Sequence, residues 1–201
     1  MTGSLRTTFI LLACVVLGWY FWPSNGKEHA PGILAPDVPV QEDLTAKPVI
    51  DHGEYTITGL AKFSLKARVL SAERYWIDRG SGLVPVDLAL GWGKMSDSAV
   101  LDKLKISQSV RFYRWESKES DYPIPKDEII ASSANMHLIP ATKAIERRIK
   151  EAEKGDIVEF SGYLARADRA DGFNWSSSTT RTDTGDGACE VVYVERFRIL
   201  P

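Results

Sequence analysis

The longest regular pattern in the chain is an alternation of apolar and polar side chains. From Ile57 the apolar row runs Ile57, Gly59, Ala61, Phe63, Leu65, Ala67, Val69, with Thr58, Lys62, Ser64, Lys66 and Arg68 between; only Leu60 interrupts the polar row. Successive side chains of a strand point to opposite faces, so this period of two predicts one long strand, or two joined at a bend, with one face buried. Gly80-Ser81-Gly82 marks a turn, and Leu83 to Leu90 predicts a strand that Gly91-Trp92-Gly93 ends. Ser96 is placed to cap a short helix through Leu104, and Val110 to Trp115 reads as strand. Glu116 to Asp127, with Pro123 and Pro125, reads as loop, and Ile129 to Ile139 as strand. Pro140 opens the clearest helical pattern, with Ala141, Ala144, Ile145, Ile149 and Ala152 on one face, Glu146 spaced to pair with Lys150, and Gly155 as cap. Ile157 to Ala165 and Glu190 to Ile199 complete the strands.

The order is thus β-β-α-β-β-α-β-β. It resembles, in architecture rather than in any motif, the small, partly open antiparallel β-barrels of the OB and SH3-like kind, with two helices. An α+β layered sheet is the alternative. No internal repeat, dinucleotide-binding, phosphate-loop or heptad pattern is present.

Ahead of this domain, assigned to 54–201, stand three segments of different character. Residues 1–8 form a short tail. An uncharged apolar run from Phe9 to Trp22, stopped by Pro23, follows. Its 14 residues rise about 21 Å as a helix, against a hydrocarbon core of about 30 Å, so Thr7, Thr8 and a snorkelling Arg6 are needed to narrow the gap. The cluster Trp19-Tyr20-Phe21-Trp22 suits a membrane exit, which favours an uncleaved signal-anchor over 9–23. A cleaved signal peptide ending near Ser24-Asn25-Gly26, and a lipoprotein acylated at Cys14, are the competing readings. All three carry the rest of the chain across a membrane, so the expected location is single-pass membrane with the C-terminal domain outside the cytoplasm, periplasmic in a bacterium. Residues 24–53, bounded by Pro23 and holding Pro31, Pro36, Pro39 and Pro48, read as a proline-rich linker that holds the domain off the bilayer.

Composition narrows the function. The chain carries 25 basic and 27 acidic side chains, a net charge of −2, which removes the usual electrostatic reason for a nucleic-acid partner. Two cysteines make neither a disulfide scaffold nor a four-cysteine zinc site. Neither a metal nor a cofactor is expected: Asp183, Asp186 and Glu190 offer oxygen ligands, but without the spacing of a calcium loop.

The one constellation that suggests catalysis is Cys189 with His137, the domain's single cysteine and single histidine, with Asn135 as a possible orienting group. Such a pair suits an exported cysteine hydrolase or acyl transferase. Strand phase speaks against it. Cys189 shares parity with Val191, Tyr193, Phe197 and Ile199, whereas His137 shares parity with Asn135 and Ser133. Regular strands of one barrel would put the cysteine inside and the histidine outside. Glu195 breaks the apolar row of the last strand, as a bulge would.

Binding is the favoured reading: an envelope-facing module without catalytic activity, whose partner is a protein, peptide or glycan. Candidate binding residues are Asn135 and His137 on the expected solvent face, Tyr113 and Trp115 in a row with Arg111, and Trp175, Arg181 and Asp183 in the polar stretch 168–188. About twenty polar residues between two strands are uncommon in a compact domain, and a tryptophan among them needs something to pack on.

Overall fold

The computed structural model describes residues 26–180 and 189–201; the apolar run and the segment holding Arg181 and Asp183 lie outside the described residues. The protein is mostly β. Its strands are β1 (Val40–Asp43), β2 (Val49–His52), β3 (Tyr55–Arg74), β4 (Val86–Gly91), β5 (Leu104–Ser109), β6 (Phe112–Ser117), β7 (Ser133–Pro140), β8 (Ile157–Arg169), β9 (Asn174–Ser176) and β10 (Glu190–Leu200). Three short helices join them: α1 (Ser98–Leu101), α2 (Lys126–Ala131) and α3 (Lys143–Glu151). Strands β3, β4, β7, β10 and β8 pair in that order, and β8 returns to β3. The sheet is therefore ring-like in part. It is not a clean barrel, because β1, β2 and β9 extend it and β5–β6 form a separate two-stranded ribbon.

The alternating row becomes the 20-residue β3. One of its edges pairs with β8 from Tyr55 to Arg68; the other is divided among β2, β1 and β4. The register slips between Gly59 and Ala61, at the Leu60 that broke the polar row, and again between Val69 and Ser71. A one-residue bulge turns the following side chains to the other face. Hence Val69 and Ala72, three residues apart, both pack inside the ring, with Leu70 outside it. The same device occurs in β10, where the slip between Val194 and Arg196 falls on Glu195.

The ring interior is filled by Phe63, Leu65, Leu88, Leu138, Phe160, Val192 and their neighbours. Helix α3 closes one end with Ile149 and Ala152, both fully buried. Its N-cap is Thr142, whose hydroxyl accepts from the Ile145 N–H at 3.3 Å, so Pro140 ends β7 rather than opening the helix. The Glu146–Lys150 pair forms at 2.5 Å. Gly155 lies beyond the helix end; its N–H bonds the Val69 carbonyl in β3.

Several sequence expectations are corrected. The stretch read as a spacer is built into the domain: β1 and β2 occupy the edge of β3, where bare backbone would otherwise invite intermolecular pairing. Ahead of them, the Leu34 and Ala35 N–H groups donate to Ser96 Oγ, and Ala35 is fully buried. Ser96 is thus spent on that segment, and Asp97 caps the short helix instead. Ile129 and Ile130 lie in α2, not in a strand. Val110 is not a strand residue either, but half of a two-residue turn joining β5 to β6.

The bulge in β10 brings its backbone onto β8. A Cβ on Gly162 would collide with the carbonyl oxygen of Tyr193 and press on the Glu195 nitrogen. Gly162→Ala is expected to lower stability by about 1–3 kcal/mol, since rigid backbone has to move. Gly82→Ala, with nothing within 4 Å of its Cβ, is expected to change it by less than about 0.5 kcal/mol. Urea unfolding of the two variants beside the wild type measures the difference.

Candidate functional site

The outer face of β4 and β7 carries the densest polar cluster. Asp87 and His137 are register partners across the two strands, so their side chains share a face. Asp87 is completely buried and His137 is 2% exposed. The Asp87 Oδ1 atom lies 2.8 Å from His137 Nδ1 and accepts from Arg111 Nη1 at 2.9 Å. Trp175, in β9, lies over the imidazole with ring centres 4.5 Å apart. The sequence offered one sign of this centre: Asp87 is a lone acid within the apolar run Leu83 to Leu90, and an acid in a two-sided apolar strand has to be paired.

Arg111 comes from outside the ring. Ser109 and Phe112 close the β5–β6 ribbon, leaving Val110 and Arg111 as its turn, with φ of 51° and 65°. Paired left-handed residues give the turn whose twist suits a hairpin, though glycine or asparagine usually supplies them. The turn aims the guanidinium back into the domain. Nε and Nη2 hold both carboxylate oxygens of Asp78 at 3.1 and 2.9 Å, and Nη2 also donates to the Val84 carbonyl at 3.1 Å. The cation stacks on Tyr75, 3.8 Å from its ring centre, and lies 5.1 Å from that of Trp175. The Arg111 N–H donates to the Tyr75 hydroxyl, which burial and the nearby Asp87 charge push well above its ordinary range, so it accepts as a neutral phenol. Asn135 completes the clasp: its Nδ2 donates to the Arg111 carbonyl at 2.9 Å and its Oδ1 accepts from Gln108 at 2.7 Å.

Of the residues singled out from sequence, Asn135, His137 and Trp175 are therefore brought together. They do not stand on an open face. The parity of β7 assigned Ser133, Asn135 and His137 to one side correctly, but the ribbon and β9 cover that side, and all three are buried. Tyr113 and Trp115 face the same cover from within. The Tyr113 hydroxyl donates to Ser133 Oγ at 3.2 Å, and Trp115 packs edge-on against Tyr122, both within the cluster around Leu70 and Ile129. Arg181 and Asp183 lie outside the described residues.

The phase argument separating Cys189 from His137 fails for the same reason. Both faces of β4, β7 and the first half of β10 are buried, so parity does not divide inside from outside. Val191 sits across from His137, and half-buried Cys189 lies just before β10 begins. Among the described residues no group of three His, Cys, Asp or Glu side chains is gathered as a metal site would need, and no helix is long and apolar enough to cross a membrane. Neither a family model, nor a curated protein, nor a solved structure matches the chain.

Chemically, the cluster is a closed lock. Arg111, Asn135 and the Tyr75 hydroxyl are each engaged by other groups of the protein, and Trp175 covers the imidazole. Replacing Arg111 with Met keeps most of the packing volume but leaves the Asp87 carboxylate buried without its cation. A loss on the order of 3 kcal/mol is expected. Asp78→Asn, at the half-exposed end of the same arginine, is expected to cost about 1 kcal/mol or less. Thermal and urea unfolding of both variants measure the ratio.

Proposed function

We propose that the protein is a non-catalytic binding module, membrane-anchored through 9–23 and facing the cell envelope, whose partner is a protein or peptide with an apolar anchor. The observation that carries this reading is where the exposed apolar side chains lie. Trp76 and Ile77 are 65% and 96% exposed, and Val110 and Phe112 are 80% and 39% exposed. The first pair sits between Tyr75 and Asp78, the second flanks Arg111, and Arg111 binds both Tyr75 and Asp78. The buried clasp thus fastens two apolar tips together at one rim. Exposed apolar side chains grouped on rigid turns are the usual material of a recognition surface.

The strand order supports the same reading. The pairing β3-β4-β7-β10-β8-β3, with β7 parallel to β10 and a helix between β7 and β8, favours the OB-like reading of this partly ring-like sheet. In such barrels the second and third strands and the adjoining loops hold the ligand. Here the protein's own ribbon covers those strands, which moves recognition outward to the ribbon tip and the β3–β4 loop. A balanced count of 22 basic and 22 acidic side chains from Glu54 onward favours a protein or peptide over nucleic acid. A glycan is less suited to Ile77 and Val110, which have nothing to donate to it.

A benzophenone amino acid placed at Ile77 or at Val110 in the full-length protein, irradiated in cells, is expected to give one shared adduct. The same probe at Val49, 69% exposed on β2, is expected to give none. Adducts equally frequent from all three positions, or from none, would sink the reading.

One observation favours the enzyme alternative: Asp87 lies 2.8 Å from His137 Nδ1, as a carboxylate orienting a catalytic imidazole would. Alkylation of Cys189 in a Cys14→Ser background separates the two readings. A binding module gives slow labelling whose pH profile is unchanged by His137→Gln. Fast labelling near neutral pH that His137→Gln abolishes would instead make this a cysteine enzyme.

A further inference from the structure

A second polar centre lies under the N-terminal segment, away from the Asp87 cluster. There Arg68 of β3 is 7% exposed and lines a cavity of about 340 Å³ between the segment around Lys27 and the start of the β5–β6 ribbon. Its Nη1 donates to the Ser96 carbonyl at 3.2 Å and to Ser98 Oγ at 2.8 Å. Both acceptors are neutral. Nε and Nη2 have no hydrogen-bond partner among the described residues, and no carboxylate there forms an ion pair with the guanidinium. Asp97 and Asp102 are the nearest acids, acting on it only at longer range. The Asp97 carboxylate is committed to the N–H groups of Gly32 and Ala99.

An arginine stays protonated in any folded protein, and a buried cation without a counter-ion is costly. The rest of the lining adds to the demand. Four cationic side chains, Lys27, Arg68, Lys118 and Lys154, face two acidic ones, Glu28 and Asp102. Lys27 is satisfied by Asp156 at 2.7 Å and Lys118 by the Asp102 carbonyl at 2.8 Å, whereas Lys154 has no ion-pair partner among the described residues. Leu101, Leu104 and Ile106 add an apolar part to the lining. A bare inorganic ion would leave that part wet.

We propose that this cavity binds a small organic anion, with its carboxylate or phosphate on the free Nε–Nη2 edge of Arg68 and its apolar body against Leu101 and Ile106. The edge presents two parallel N–H groups, the geometry that matches two oxygens of one oxyacid group. Lys154 at the mouth supplies the second charge. The volume is within the range of a small-molecule site, and the largely polar, cationic lining suits a charged ligand. This inference does not depend on the rim formed by Trp76 and Val110, and the cavity shares no residue with it.

Thermal unfolding of the full-length protein is followed with hexanoate, its neutral isostere hexanamide, butyl phosphate, and inorganic phosphate. Hexanoate or butyl phosphate is expected to raise the midpoint saturably, hexanamide not at all, and inorganic phosphate only at concentrations at least tenfold higher. Which organic anion wins tells carboxylate from phosphate. Arg68→Gln is expected to abolish the shift, Lys154→Ala to weaken it at least threefold, and Ile106→Trp, which fills the cavity, to remove it. If Arg68→Gln does not fold, the Lys154 and Ile106 variants decide. No saturable shift from either organic anion, an equal shift from hexanamide, or a shift unchanged in the variants would overturn the proposal.

Discussion

Asp87 is a charged carboxylate with no exposed surface, and the outer half of the molecule is arranged around making that tolerable. Taking such a group out of water costs several kcal/mol unless a cation and hydrogen bonds replace the lost hydration. The cation is Arg111, which reaches Asp87 only because the β5–β6 ribbon folds back over the sheet. The ribbon in turn requires Val110 and Arg111 in the left-handed region, at about 1 kcal/mol or more each for side chains of this kind. That strain persists because the guanidinium is held at once by Asp78, Asp87, Val84 and the Tyr75 ring. Without the Asp87 carboxylate the turn would keep Asp78, Val84, Tyr75 and Asn135 but lose its one fully buried counter-charge.

The covering of β4 and β7 follows from this one pairing, and it explains why the polar cluster is not an open site. With the ribbon docked, Tyr113 and Trp115 become core, Asn135 fastens the turn, and Trp175 seals the imidazole. The outer face of β4 and β7 has become a second hydrophobic layer, and Val110 and Phe112 stand exposed on the ribbon that covers it.

Much of the fold was legible in the sequence where a single face decides the pattern. The alternation from Ile57 to Val69 is β3, the Ala141–Ala152 stripe is largely α3, and the two residues that spoil their rows, Leu60 and Glu195, mark bulges. Legibility ends where both faces are covered or where long-range pairing decides. Val40 to Asp43 and Val49 to His52 are four-residue strands in a proline-rich stretch, and only the free edge of β3 makes them strands. The hairpin turn was hidden because Val110-Arg111 lacks the glycine or asparagine that announces such a turn. His137 was assigned to the correct side of its strand, but nothing local reveals that a ribbon some twenty-five residues upstream covers that side.

Two buried charges, Asp87 and Arg68, are handled in opposite ways, and the contrast is informative. Asp87 is matched by a cation brought in on a strained turn, a solution that needs a separate ribbon and leaves no room beside it. Arg68 is matched by two neutral oxygens and left beside an open volume, although acids are at hand in Asp97 and Asp102. A guanidinium held by one of its nitrogens at the wall of a cavity suits the proposed receptor for an anion. The same chemistry that closes the first centre leaves the second one open.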